Sequence, residues 1–126
     1  MTTENKTLEN NPRALAEEIV KILDAKKARD IKLIKIDDKT IIADYFVICG
    51  GNSNTQVKAL AGEVEFKLEE MGINHHHIEG YNEAVWTVLD YSSVIVHIFN
   101  REARDFYKLE KLWADAEDID ISSLLI

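Results

Sequence analysis

The stretch YFVICGGNSNTQVKAL, residues 45–60, begins as an apolar run, turns at Gly50-Gly51 and resumes with apolar residues at helical spacing. A half-exposed strand alternates, so the unbroken YFVIC marks a strand covered on both faces and central in its sheet. The helix that follows, from about Thr55 to Met71, sets Val57, Leu60, Ala61, Val64, Leu68 and Met71 on one side, and Gly72 is placed to end it. Strand, glycine turn and helix is also how a chain cradles phosphate. A phosphate-binding P-loop needs Lys and then Ser or Thr directly after its last glycine, and a dinucleotide fingerprint needs G-x-G-x-x-G. GGNSNTQ meets neither pattern. Ser53, Asn54 or Thr55 can instead accept a hydrogen bond from the first helical turn, with Ser53 and Gln56 spaced as a capping box.

Upstream, Asn11-Pro12 opens a helix as an N-cap residue followed by proline, and Leu15, Ile19, Ile22 and Leu23 form its apolar stripe. IKLIKID then alternates as a strand does, and Asp37-Asp38-Lys39-Thr40 is a polar turn. Gly62, inside the central helix, costs about 1 kcal/mol relative to alanine, which implies close packing there. Downstream, INHHHIEG, EAVWTVLD and SVIVHIF read as three short strands, and a last helix runs from near Arg101 to about Ala116. The expected fold is α/β, a five-stranded mixed sheet flanked by helices in the order α-β-β-α-β-β-β-α. One domain spans 1–126, with its core at about 10–116 and tails at 1–9 and 117–126.

Composition narrows the function classes. The chain has 126 residues, 46% of them hydrophobic and 30% charged, as a globular protein does. No apolar run reaches the roughly 20 residues of a membrane span, and MTTENKTLENN is no signal peptide, so the expected location is the cytoplasm. Cys49 is the single cysteine, which excludes an internal disulfide and a cysteine-based zinc set. Residues 1–36 carry eight basic and six acidic groups, whereas residues 37–126 carry seven and seventeen. An acidic body argues against direct nucleic-acid binding and favours a basic protein partner.

No reaction emerges from the spacing of polar residues. His75, His76 and His77 would alternate faces in a strand, and no cysteine or spaced carboxylate completes a metal set. His97, inside SVIVHIF, reads as a hydrogen-bonded core histidine. Asp44, Glu79 and Asp90 lie near strand ends, but none belongs to a D-x-D or D-x-x-D pair. The aromatic residues are more informative. In EAVWTVLD, Ala84, Trp86, Val88 and Asp90 share one face, and Val85, Thr87, Leu89 and Tyr91 share the other. Along a single last helix, Ala103, Phe106, Tyr107, Leu109, Leu112, Trp113 and Ala116 would spread over about 220° of the circumference, wider than one sheet face needs. Either all of these are core, or part of that arc, with Tyr107 or Trp113 at its margin, meets a partner.

Four segments, ADYFVICGGNSNTQVKALA (43–61), EG (79–80), WTVLDYSSVIVHIF (86–99) and REARDFYKLEKLWADA (101–116), taken together resemble the ribosomal silencing factor family, also called Iojap-like proteins. The resemblance covers the chain from the first helix to about Ala116. Ser92-Ser93 stands where the family usually has Gly-Asp, Cys49-Gly50-Gly51 where it often has Ala-Thr-Gly, and Leu112-Trp113-Ala114-Asp115 where it has Leu-Trp-Gly-Asp. What the resemblance implies is a nucleotidyltransferase-like fold without catalytic carboxylates, hence no enzyme, no cofactor and no metal. It further implies a translational repressor that binds the large ribosomal subunit through the ribosomal protein numbered fourteen. Sitting there, it would sterically block joining of the small subunit in starvation. The family's contact motif falls on Trp86, Asp90 and Tyr91, with Tyr107, Glu110 and Trp113 from F-Y-x-L-E-x-L-W. Neither specific nucleic-acid binding nor a membrane is expected, and a homodimer off the ribosome is a further expectation. The alternative reading is a small nucleotide-binding or nucleotidyl-transferring enzyme using the Gly50-Gly51 turn.

Overall fold

A computed structural model describes residues 8 and 10–126, so the tail expected at 1–9 lies, apart from Leu8, outside the described residues. Helix α1 (Pro12–Ala25) starts where the Asn11 side chain accepts the Ala14 N–H at 3.1 Å. Strand β1 (Arg29–Lys35) follows, then β2 (Tyr45–Gly51), which is buried along its whole length as the apolar run requires. Helix α2 (Asn54–Glu70) is capped by Ser53, whose hydroxyl accepts the Gln56 N–H at 3.1 Å. The Gln56 side chain reaches back to accept the Asn52 N–H, so the capping pair of the sequence is realised one residue early on its return arm. At the other end Gly72, at φ 82°, closes the helix: its N–H bonds the Glu69 carbonyl and that of Ile73 bonds Leu68, the two bonds of a Schellman motif.

Strands β3 (His77–Glu79), β4 (Trp86–Asp90) and β5 (Val94–Asn100) come next, followed by α3 (Arg101–Tyr107), α4 (Leu109–Leu112) and β6 (Glu117–Ile119). The sheet order is β3-β4-β5-β2-β1-β6. Among the described residues only β2 and β5 pair in parallel, with Tyr45 opposite Val94 and Gly51 opposite Asn100. The sheet has six strands rather than five. The sixth comes from the segment read as a tail, where Ile119 pairs with Leu33 and both Ile119 and Ile121 are buried. Among the described residues no helix is long and apolar enough to cross a membrane.

The two sheet faces are covered differently. Helices α1 and α2 lie on one, closing a core that includes Leu15, Ile19, Leu23, Leu33, Val47, Val64, Leu89 and Val96. The other face holds Ile34, Phe46, Ile48, Ile95 and Phe99 under a thinner cover of Ala103, Leu109 and the partly buried Trp113 and Ala116. The single last helix expected from the spacing does not form. Lys108 adopts φ 49°, ψ 51°, a left-handed geometry that ends α3 after seven residues and starts the four-residue α4 in a new direction. The turn lets Leu109 and Trp113 reach the sheet while Phe106 and Leu112 face solvent. Gly62 is not closely packed either, since a Cβ added there would meet only the Tyr81 hydroxyl at 3.8 Å. Gly51 is the tight position: a Cβ there would press on Val57 Cγ2 at 3.0 Å. That gives the glycine turn a packing role against the first turn of α2.

Candidate partner-binding face

Trp86 stands at the start of β4, opposite Phe99 of β5, on the thinly covered face. Gly80 makes this possible, because any side chain there would collide with the Trp86 carbonyl, and the Thr87 hydroxyl donates to the Gly80 carbonyl at 3.2 Å. The indole is fixed on three sides. It stacks on Phe99 with centroids 4.8 Å apart and 26° between planes, and Tyr107 leans on it at 4.9 Å. Its N–H donates to Nδ1 of His97 at 3.1 Å.

That bond sets the state of His97. A nitrogen that accepts cannot carry the proton, so the imidazole is neutral with its hydrogen on Nε2. Burial at 7% exposure among Phe46, Trp86 and Phe99 disfavours the cation and pushes the pKa down to about 4. Nε2 itself has no partner. From His97 the contacts continue to Phe46 at 4.6 Å and from Phe46 to Trp113 at 5.3 Å, both edge-on. At the far end Phe106 meets Tyr107 edge-on at 5.1 Å. An aromatic ladder thus crosses the sheet from Phe106 to Trp113. One end rises out of the fold, with Phe106 80% exposed and Tyr107 48%, while Trp113 at the other end is partly buried next to Leu112, which is 74% exposed. Val85, Phe106 and Tyr107 line a shallow depression with Glu102 at its rim.

Of the residues singled out in the sequence, Trp86, Tyr107 and Trp113 come together here, and Asp90 lies on the same face at the other end of β4. One Asp90 oxygen accepts the Ser92 N–H at 2.7 Å, which holds the tight turn where Ser92 takes φ 68°, the conformation that a glycine would adopt without strain. Tyr91 is not brought to this surface. It is 5% exposed in the core under α1 and α2, and burial raises its phenol pKa. Glu110 is engaged within the chain, since Arg104 donates to it from Nε at 3.1 Å and Nη2 at 3.0 Å. Sequence reasoning missed Phe46, His97 and Phe99 as parts of this face, and held Phe106 and Leu112 only within the wide arc of the last helix. Period two in β5 groups Ile95, His97 and Phe99, but only the β4–β5 register joins that group to Trp86.

The histidine run holds no metal set: His75 Nδ1 lies 3.3 Å from Glu65 and His77 Nε2 2.9 Å from Glu79, and no cluster of three ligand side chains occurs among the described residues. Cys49 is fully buried and its thiol pKa is pushed up to about 12, so it is no nucleophile.

Residues 9–125 match the family model described as ribosomal silencing factor during starvation. The chain belongs to the ribosomal silencing factor family. The ribosomal silencing factor RsfS of Bacillus subtilis is 43% identical over 98 residues, covering 78% of this chain and 83% of that protein. The fold agrees as well. A crystal structure of a Chromobacterium violaceum protein superposes with a TM-score of 0.79 at 31% identity, over 81% of this chain and 85% of that one. A mouse relative named mitochondrial assembly of ribosomal large subunit protein 1 is 31% identical, over 75% of this chain and 43% of that protein. The family is one of ribosomal silencing factors.

Proposed function

We propose that this chain represses translation by docking its aromatic face on the large ribosomal subunit. The contact is with a basic ribosomal protein, the one numbered fourteen, at the surface where the small subunit joins. Occupying that surface blocks joining sterically when nutrients are short, with no cofactor and no turnover. The observation that carries the reading is the ladder around Trp86, a fixed indole flanked by the exposed Tyr107 and, beyond it, Phe106. Rigid aromatic anchors of this kind dominate the energy of protein interfaces. Asp90 and Glu102 lie on or beside the face, and with a net charge of −8 they suit a basic partner and speed its encounter. The family's name and that of the mouse relative support the ribosome and its large subunit as the target. Off the ribosome the same uncovered face would carry a homodimer, so the two associations compete.

Cosedimentation with purified large subunits, followed by addition of small subunits, tests the reading. Binding that lowers the yield of joined ribosomes is expected. No binding at low salt, or binding that leaves joining unchanged, would sink it.

A further inference from the structure

Cations are the minority on this chain, 15 against 23 carboxylates, yet six of them are gathered in one place. Two open clefts adjoin where β2 ends at the glycines. The first, about 240 Å³, is walled by Arg29, Arg101 and Arg104 above Gly50 and Gly51. The second, about 390 Å³, continues from Arg104 to Lys32, Lys108 and Lys111. Asp30, Asp105 and Glu110 share these walls, so six cations and three carboxylates leave a formal plus three on a chain of minus eight. Lys108 directly follows Tyr107, so the clefts begin where the aromatic face ends.

Arg104 joins the two clefts. Three of its five N–H groups are engaged, two by Glu110 and one by the Arg29 carbonyl at 3.1 Å. The guanidinium is therefore held in place with two donors to spare. Among the described residues no salt bridge engages Arg29, Arg101, Lys108 or Lys111. The walls offer fixed and free cations over a backbone without side chains, which suits phosphate oxygens. No aromatic or apolar side chain lines either cleft, so there is nothing on which a nucleobase could stack. Two open clefts in a row fit a run of phosphates better than one enclosed anion.

We propose that these clefts bind consecutive phosphates of an RNA backbone lying beside the docked ribosomal protein. The inference rests on the ribosome-binding reading above. The acidic remainder of the chain repels free RNA, so the contact forms once the aromatic face has docked and raised the local concentration of phosphate. Phosphate contacts of this kind position the protein and carry no sequence preference.

The test is the triple variant Arg101→Gln/Lys108→Gln/Lys111→Gln, which spares the pinned Arg104. Its affinity is measured across salt concentrations for large subunits and for the isolated ribosomal protein, beside the unaltered chain. On subunits the variant is expected to bind at least tenfold more weakly at low salt, with a log–log salt slope shallower by about 2 to 3. On the isolated protein its affinity should hold or rise, because the variant is more acidic. Asp105→Asn should strengthen subunit binding and gives an independent reading should the triple variant melt early. An unchanged slope on subunits overturns the proposal, as does an equal loss on the isolated protein. Saturable heat with pyrophosphate or ATP that disappears in the variant would replace RNA by a small phosphate ligand. The unaltered chain alone reports on the ribosome reading: if it fails to bind subunits, that reading falls and this inference with it.

Discussion

The two faces of the sheet are built to different standards. Under α1 and α2, Ile19, Val20, Leu23, Val47, Val64, Leu68 and Val96 have no solvent exposure, and both helices begin with a side-chain cap. Across the sheet, two helices of seven and four residues leave an aromatic row half uncovered. The second face also buries Ile36, Ile48 and Phe99 fully, but its short helices leave Trp86 part-exposed while Phe99, Tyr107 and His97 hold the indole in place.

Four measurements bear on that contrast. Leu23→Ala, on the covered face, should cost about 2–5 kcal/mol in urea unfolding, the usual loss for a buried leucine. On the open face, Phe106→Ala should leave unfolding almost unchanged, while Trp86→Ala weakens binding to large subunits by about 2 kcal/mol or more. If Trp86→Ala lowered only the melting temperature, the two faces would share one role and the contrast would fail.

The third concerns His97. Its folded pKa, about 4, lies below its ordinary 6.5, so the unfolded chain takes up a proton that the native one refuses. This contribution is complete above pH 6.5 and is lost as pH falls through the window down to about 4, amounting to up to about 3 kcal/mol. His97→Gln, which keeps an acceptor for the Trp86 N–H, should flatten unfolding free energy over that window. An unflattened profile would place the acid sensitivity elsewhere. The smallest effect is expected at Gly62→Ala, where open space and helical backbone predict a gain of about 0.5–1 kcal/mol; a loss would mean that α2 packs there after all.

Much of the covered face was legible because its signals are local. Asn11-Pro12, Ser53 with Gln56, Gly72 and the YFVIC run each declare an element within a few residues. The open face is made by relations between distant residues. Nothing near Lys108 announces a left-handed break, because lysine carries no preference for it. Glu117–Ile119 is too short and too charged to read as a strand, and becomes one only because β1 presents an edge to it. Tyr91 is instructive in another way. Alternation along EAVWTVLD already set it opposite Trp86, and the family motif drew it onto the same surface; in the structure the alternation prevails.

The sixth strand also governs how copies of this chain avoid one another. An unpaired strand edge is a template for any other chain with a free edge, and short, charged outer strands are the usual defence. Both rims of this sheet are of that kind. β3 is three residues with His77 and Glu79 outward, and β6 is three residues with Glu117 and Asp118 outward, followed by Asp120. A chain cut after Ala116 would bare β1, where Leu33 and Ile34 are buried on opposite faces, as an open ladder of backbone groups. Its first failing would be clumping at high concentration, well before any loss of grip on a partner.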